Sequence, residues 1–392
     1  MRNLPEKLQK KLIERRRINA LRSLPEVNGG TDFASNDYLG IGHSRTVFDN
    51  AIRILSEKEI STNGASGSRL LTGNSSLYNE VEELIRKFHK VDSALVFNSG
   101  YDANIGLFSS VPQRDDIILY DEYIHASIRD GIAMSKARNF KYRHNDLDDL
   151  LSRIKRVRQT GDIGTTEQIY IATESVFSMD GDAPDLKAMA SICQEFNLNL
   201  IVDEAHAIGL FGKNGLGNVQ EQDLEENIFA RTITFGKALG CHGAAILGGS
   251  DLKKYLINYA RSFIYTTGMS PHNLATIMAA YQFMTGSDGN RERKILHKNI
   301  EYFNHEKERL GISSFFIPSI SAIHSCIIGD NNQVIQVAEN IQKSTFDVRP
   351  ILSPTVQKGK ERLRFCLHSY NSKEDITNVL QLLQIAIKKH EK

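Results

Sequence analysis

A chain of 392 residues, 41% hydrophobic and 24% charged, has ordinary globular composition and enough apolar material for two or three domains of roughly 150 residues each. Lysine plus arginine number 48 against 47 aspartate plus glutamate, a balance that gives no reason to expect a nucleic-acid or membrane-surface partner. No run approaches the ~18 consecutive apolar residues of a membrane span, and the four cysteines (Cys193, Cys241, Cys326 and Cys366) lack CxxC spacing, which reads as reduced thiols in a cytoplasmic protein.

The chain opens with a helical pattern in which Leu8, Leu12, Ile13 and Leu21 recur beside Lys10, Lys11, Arg15, Arg16 and Arg17, a basic and solvated helix face. This segment has no apolar signal core, and Glu6 and Glu14 argue against a transit peptide. From residue 93 to 250, short apolar runs read as buried strands: 93–97, 116–120, 168–173, 198–203, 231–235 and 243–248. Helix-period stretches lie between them, among them 146–158 and 185–196. The alternation predicts an α/β fold whose mostly parallel sheet is sandwiched by helices. After Pro271 the pattern changes to helices at 272–285 and 290–310, a strand at 323–329, a helix at 333–343, strands near 346–349 and 362–368, and a final helix from 373. This is a smaller C-terminal α/β domain, on which the N-terminal helix is expected to pack. The expected boundaries are 1–43 for the N-terminal helix and linker, 44–275 for the large domain and 276–392 for the small one.

Three clusters carry chemistry. In Ile201-Val202-Asp203-Glu204-Ala205-His206, an aspartate ends a buried strand, where parallel sheets bind ligands. An acid there can hold a protonated pyridine nitrogen, and His206 lies three residues on; a salt-bridged aspartate beside a core histidine would look the same. In Thr234-Phe235-Gly236-Lys237-Ala238-Leu239-Gly240, a lysine follows a buried strand between glycines, which admit a flat ligand close to the backbone. A desolvated amine suits Schiff-base chemistry, although most lysines are simply solvated. In Asn98-Ser99-Gly100-Tyr101, a strand gives way to a helix whose free N–H groups can cradle a phosphate. The GxxxxGK[ST] pattern of nucleotide hydrolases is missing, and no metal site is expected.

Together with FASNDYLG (33–40), SGSRLLTGN (66–74), HAS (125–127), HND (144–146), TESVFSMDGD (173–182) and RLRF (362–365), these clusters resemble the α-oxoamine synthases. These are fold-type I enzymes, dependent on pyridoxal 5'-phosphate (PLP), that condense an amino acid with an acyl-CoA and release carbon dioxide. The resemblance implies that Lys237 forms the internal Schiff base and then acts as general base. It implies that Asp203 pairs with the pyridine nitrogen, that His206 contacts the ring oxygen and that His125 stacks on the ring face. Gly100, Tyr101, Ser178 and Thr234 would hold the cofactor. Thr266 and Thr267 would reach the partner subunit's phosphate in a homodimer. Arg364 would clamp the substrate carboxylate with Asn36 near it, and Arg22 and Thr355 match acyl-substrate positions.

Within the family, Phe263-Ile264-Tyr265-Thr266-Thr267 resembles the branch that joins L-alanine to a pimeloyl thioester in biotin synthesis. Sister branches use glycine with acetyl-CoA, glycine with succinyl-CoA, or serine with a long acyl-CoA. Three departures stand out: a short stretch between Arg22 and Asp32, Tyr78 where relatives often have histidine, and Gly268-Met269-Ser270-Pro271 in place of a Leu-Pro-Pro pattern.

Overall fold

The computed structural model describes residues 4–24, 29–159 and 167–390, so the centre of the short stretch after Arg22 lies outside the described residues. In chain order its strands are β1 (Thr31–Asp32), β2 (Ser93–Phe97), β3 (Ile117–Asp121), β4 (Arg138–Tyr142), β5 (Ile169–Glu174) and β6 (Asn199–Asp203). They continue with β7 (Ala230–Thr234), β8 (Ala244–Gly248), β9 (Ile323–Gly329), β10 (Phe346–Asp347), β11 (Arg349–Ile351) and β12 (Glu361–Cys366).

The chain packs as two compact units. One comprises 36–178 and 183–294; the other comprises 1–35, 179–182 and 295–392. The division therefore falls within the helix Ser287–Arg309, one helix beyond residue 275, because the helix Pro271–Thr285 buries Leu274, Ile277 and Tyr281 within the larger unit.

The larger unit is built on a seven-stranded sheet of order β2-β8-β7-β6-β5-β3-β4. Neighbours from β7 to β4 are parallel, and β8 runs antiparallel to both β7 and β2. The two-residue period of each strand sends alternate side chains to opposite faces. Ile118, Tyr170, Ala172 and Ile201 join one apolar cluster with Leu107 and Ile128 of the helices Gly100–Ser110 and Ala126–Met134. Ile117, Ile171, Leu200 and Val202 join another with Leu150, Ile154 and Met189 of the helices Leu147–Gln159 and Leu186–Glu195. Asp203 continues the parity of Ile201 and so faces the side covered by Gly100–Ser110.

The smaller unit carries the antiparallel sheet β11-β12-β9 and the parallel pair β1-β10. The helix Glu6–Arg17 buries none of its residues, and Leu8, Leu12 and Ile13 stay about half exposed. The expected packing of its apolar stripe is thus absent among the described residues. The segment after it makes the link instead: Asn331 donates to the Ile18 carbonyl at 2.9 Å and Asn19 to Asn332 at 2.6 Å. All four cysteines are free. No described helix is long and apolar enough to cross a membrane.

Candidate active site

Three neighbouring strands, β5, β6 and β7, end at the same edge of the sheet with Glu174, Asp203 and Thr234. Their C-terminal ends, together with the start of Gly100–Ser110, line a cavity of about 190 Å³ that Lys237, His125, Asn104, Ser127, Thr232 and Ala205 complete. Register explains part of this convergence: Asp203 stands opposite Thr232 on β7 and Glu174 on β5.

Asp203 is buried and doubly hydrogen-bonded. Its Oδ2 accepts from Asn104 Nδ2 at 2.8 Å, and its Oδ1 accepts from the Ala205 N–H at 2.9 Å. Asn104 also donates to Ser127 Oγ at 3.0 Å. On the other arm of the turn, His206 Nε2 lies 2.7 Å from Lys237 Nζ, and its Nδ1 lies 2.7 Å from the Tyr38 hydroxyl. The Tyr38 hydroxyl also lies 3.1 Å from Asn36 Oδ1; when it donates there, Nδ1 carries the ring proton and Nε2 can accept from the amine.

His125 caps the helix Ala126–Met134, its Nδ1 accepting from the Ser127 N–H at 3.2 Å, while its own N–H donates to Glu174 Oε1 at 2.6 Å. Burial pushes the pKa of His125 below its ordinary value; the charge of Lys237 adds to this and that of Asp203 opposes it. Burial, reinforced by Asp203, pushes Glu174 well above the ordinary carboxyl range. Burial therefore favours a neutral His125 ring and a neutral Glu174 acid.

Asp203 and His206 sit on a turn that a second acid fastens from behind. Glu204 is fully buried and pairs with buried Arg231 of β7, whose Nε donates to Oε2 at 2.8 Å. Glu204 Oε1 also accepts from the Val219 N–H at 3.0 Å, and Arg231 donates to the Leu216 carbonyl at 3.0 Å.

The expected residues Gly100, Tyr101, His125, Asp203, Thr234 and Lys237 line the cavity, and His206 contacts the amine. Ser178 lies half-buried in the turn after Phe177. Thr266 and Thr267 lie elsewhere in the larger unit, held by Asn98, which donates to Thr266 Oγ1 at 3.0 Å and to the Thr267 carbonyl at 2.7 Å. In the smaller unit, Arg22 donates to Thr355 Oγ1 at 3.2 Å, joining the two residues expected at acyl-substrate positions across 333 residues of sequence. Arg364 lies on the central strand β12 and is buried, as is Arg362, which pairs with Asp180; neither is a surface arginine.

Asn104, Ser127, Glu174, Thr232 and Tyr38 were not anticipated. Glu174 had a readable signal, since it ends an apolar strand just as Asp203 does. Asn104 lies one helical turn after Gly100, on the face that the start of the helix already turns toward the cavity.

A pyridine cofactor fits these residues. Thr232 Oγ1 and Asn104 Oδ1 are buried without a partner among the described residues, and both residues line the cavity. Gly100 at the helix start faces the Thr234 side chain, which a Cβ there would touch at 3.7 Å. The donor set supplies an amine, a buried carboxylate and free helix N–H groups, which match an aldehyde, a ring nitrogen and a phosphate.

A mostly parallel sheet with an acid and a lysine converging at its C-terminal edge is the architecture of fold-type I PLP-dependent transferases. The chain belongs to the aminotransferase class I and II family, whose profile matches residues 28–383. It is 38% identical over 391 residues to an 8-amino-7-oxononanoate synthase of Emericella nidulans, covering 96% of this chain and 93% of the relative. The crystal structure of 8-amino-7-oxononanoate synthase from Francisella tularensis is similar with a TM-score of 0.76 and 28% identity, over 93% of this chain and 99% of that one. A serine palmitoyltransferase from S. paucimobilis with a bound PLP–myriocin aldimine matches with a TM-score of 0.87 and 25% identity, over 99% of both chains.

Proposed function

We propose that this chain is an α-oxoamine synthase that uses PLP to join an amino acid to an acyl thioester, with release of thiol and carbon dioxide. The carrying observation is the cavity at the sheet edge, where the amine of Lys237 and the buried carboxylate of Asp203 meet between His206 and His125.

Bound PLP supplies an electron sink for negative charge at the substrate's α-carbon. Lys237 would hold the cofactor's aldehyde carbon through its Nζ, and the same amine would serve as the base for the substrate's α-proton. Asp203 keeps a proton on the pyridine nitrogen, which the buried carboxylate does by charge. Asn104 and the Ala205 N–H orient that carboxylate. His206 lies on the Lys237 amine through Nε2 and would address the cofactor's ring oxygen; His125, which burial favours as neutral, would cover the ring face. The N–H groups of Gly100 and Tyr101, with Ser178 and Thr234, bind the phosphate. Thr266 and Thr267 reach the phosphate bound by the partner in a homodimer. Arg364 grips the amino-acid carboxylate through its planar fork, Asn36 assists, and Arg22 with Thr355 receives the acyl donor.

For the substrates we favour L-alanine and a pimeloyl thioester, carried on CoA or an acyl carrier protein. The product is then 8-amino-7-oxononanoate, made for biotin in the cytoplasm. Similarity to the fungal synthase supports this choice. The higher TM-score of the serine palmitoyltransferase favours a second reading, in which serine meets a long acyl-CoA.

The test is thiol release and product mass for alanine, glycine and serine, each offered with pimeloyl-, acetyl-, succinyl- and palmitoyl-CoA. Turnover confined to alanine with pimeloyl-CoA is expected. Turnover with serine and palmitoyl-CoA instead would move the protein to the sister branch. Normal product formation by Lys237→Ala would overturn the mechanism itself.

A further inference from the structure

Tyr78 departs from the pattern of the resembling sequences, and its surroundings give it work. It is almost fully buried in the helix Ser76–His89, and its hydroxyl accepts from the Met269 N–H at 2.5 Å. Met269 belongs to the loop that carries Thr266 and Thr267. The Arg69 guanidinium lies over the Tyr78 ring, 3.7 Å from its centroid. That guanidinium is itself fixed, donating to Glu82 Oε1 at 2.6 Å, to Asn74 Oδ1 at 3.0 Å and to the Val96 carbonyl at 3.3 Å.

The two loops are stitched together directly as well. The Gly268 N–H donates to the Gly67 carbonyl at 2.9 Å. A Cβ on Gly268 would stand 2.8 Å from the Gly73 carbonyl oxygen and 3.2 Å from the Tyr78 hydroxyl, so the contact is too close for any side chain. The glycine-rich segment 66–74 and the threonine loop thus form one interlocked body, with Tyr78 as its only side-chain bond to the backbone at Met269 among the contacts described.

We infer that Tyr78 is a positioning residue that sets the loop bearing Thr266 and Thr267 for phosphate binding. The inference rests on the proposed role of those threonines toward the cofactor bound by the partner subunit. Its physical basis is local. Deleting the hydroxyl leaves the buried Met269 N–H unpaired, and the loop relaxes to recover a partner. Tyr78→Phe keeps the ring under Arg69 and therefore the packing of the helix.

The experiment is titration of the PLP-free full-length protein with PLP, followed by absorbance, for wild type, Tyr78→Phe, Thr266→Ala/Thr267→Ala and the triple variant. Thermal unfolding of each PLP-free protein checks that it is folded, and Arg69→Lys, which loosens the same ring from the other side, is the second probe if Tyr78→Phe is not. Tyr78→Phe is expected to weaken PLP binding roughly tenfold, the effect of one unpaired buried donor. Added to the threonine variant it should cost less than about twofold, because both changes remove one interaction. Additive effects, or an unchanged affinity in Tyr78→Phe beside a weakened threonine variant, would overturn the inference alone. Wild-type affinity in the threonine variant would remove the phosphate role and the inference with it.

Discussion

Asp203→Asn separates what the carboxylate does for the fold from what it does for the chemistry. The carboxylate accepts two hydrogen bonds, from Asn104 Nδ2 at 2.8 Å and from the Ala205 N–H at 2.9 Å. The introduced amide is isosteric, and its oxygen can still accept from Ala205. Its nitrogen would face the Asn104 donor, but Asn104 has an unpartnered Oδ1 and can turn over, after which the single Ser127 hydroxyl proton is shared between that oxygen and His125 Nδ1, 2.8 Å away. Both charge-assisted bonds become neutral ones, a loss of about 1–2 kcal/mol. A neutral amide cannot hold a proton on a pyridine nitrogen, so the rate suffers far more. Loss of a charge interaction worth about 3 kcal/mol lowers kcat by roughly two orders of magnitude. The assay is single-turnover thiol release alongside urea unfolding of the PLP-free protein. A variant unfolding near the wild-type midpoint with kcat down about 100-fold is expected; kcat within threefold of wild type would refute the role of the carboxylate.

Arg231→Met leaves Glu204 buried and uncompensated and should destabilise the PLP-free protein by about 3–5 kcal/mol, whereas replacing both partners by apolar residues should recover much of the loss; an equal loss in both variants would show that the pair is not the unit. Burial depresses the pKa of His324 well below 6.5, so the unfolded chain takes up that proton first. Its contribution is complete above pH 6.5 and is lost as the pH falls, by roughly 1 kcal/mol between pH 7.5 and 5.5. Unfolding midpoints of His324→Leu should therefore be less sensitive to acid than those of wild type, and parallel pH dependences would contradict this. Arg364→Lys replaces a fork by a point charge and should raise KM for the amino acid about tenfold with a smaller change in kcat; an effect on kcat alone would place Arg364 away from the carboxylate.

Much of the larger unit was legible because its strands are buried on both faces. Runs such as Ser93–Phe97 and Asn199–Asp203 are nearly continuous in apolar residues, and the structure places each strand within about a residue of its expected limits. The edge strand Arg138–Tyr142 escaped notice, because Asn139, Phe140 and Lys141 are exposed and RNFKY lacks an apolar run. The N-terminal helix misled in the opposite sense, since its apolar spacing suggested a buried face that the fold leaves open.

The sequence by itself determined the chemistry at the sheet edge. An acid ending a buried strand and a lysine just past the next one are local facts, and they meet because the sheet places β6 and β7 side by side and parallel. Tertiary structure alone decided which groups surround them. Asn104 and Glu174 reach Asp203 and His125 from separate elements, Tyr38 meets His206 across 168 residues, and Arg22 meets Thr355 across 333. Periodicity records whether a side chain faces inward, but the partner it meets there depends on strand order and helix placement, which no single segment encodes.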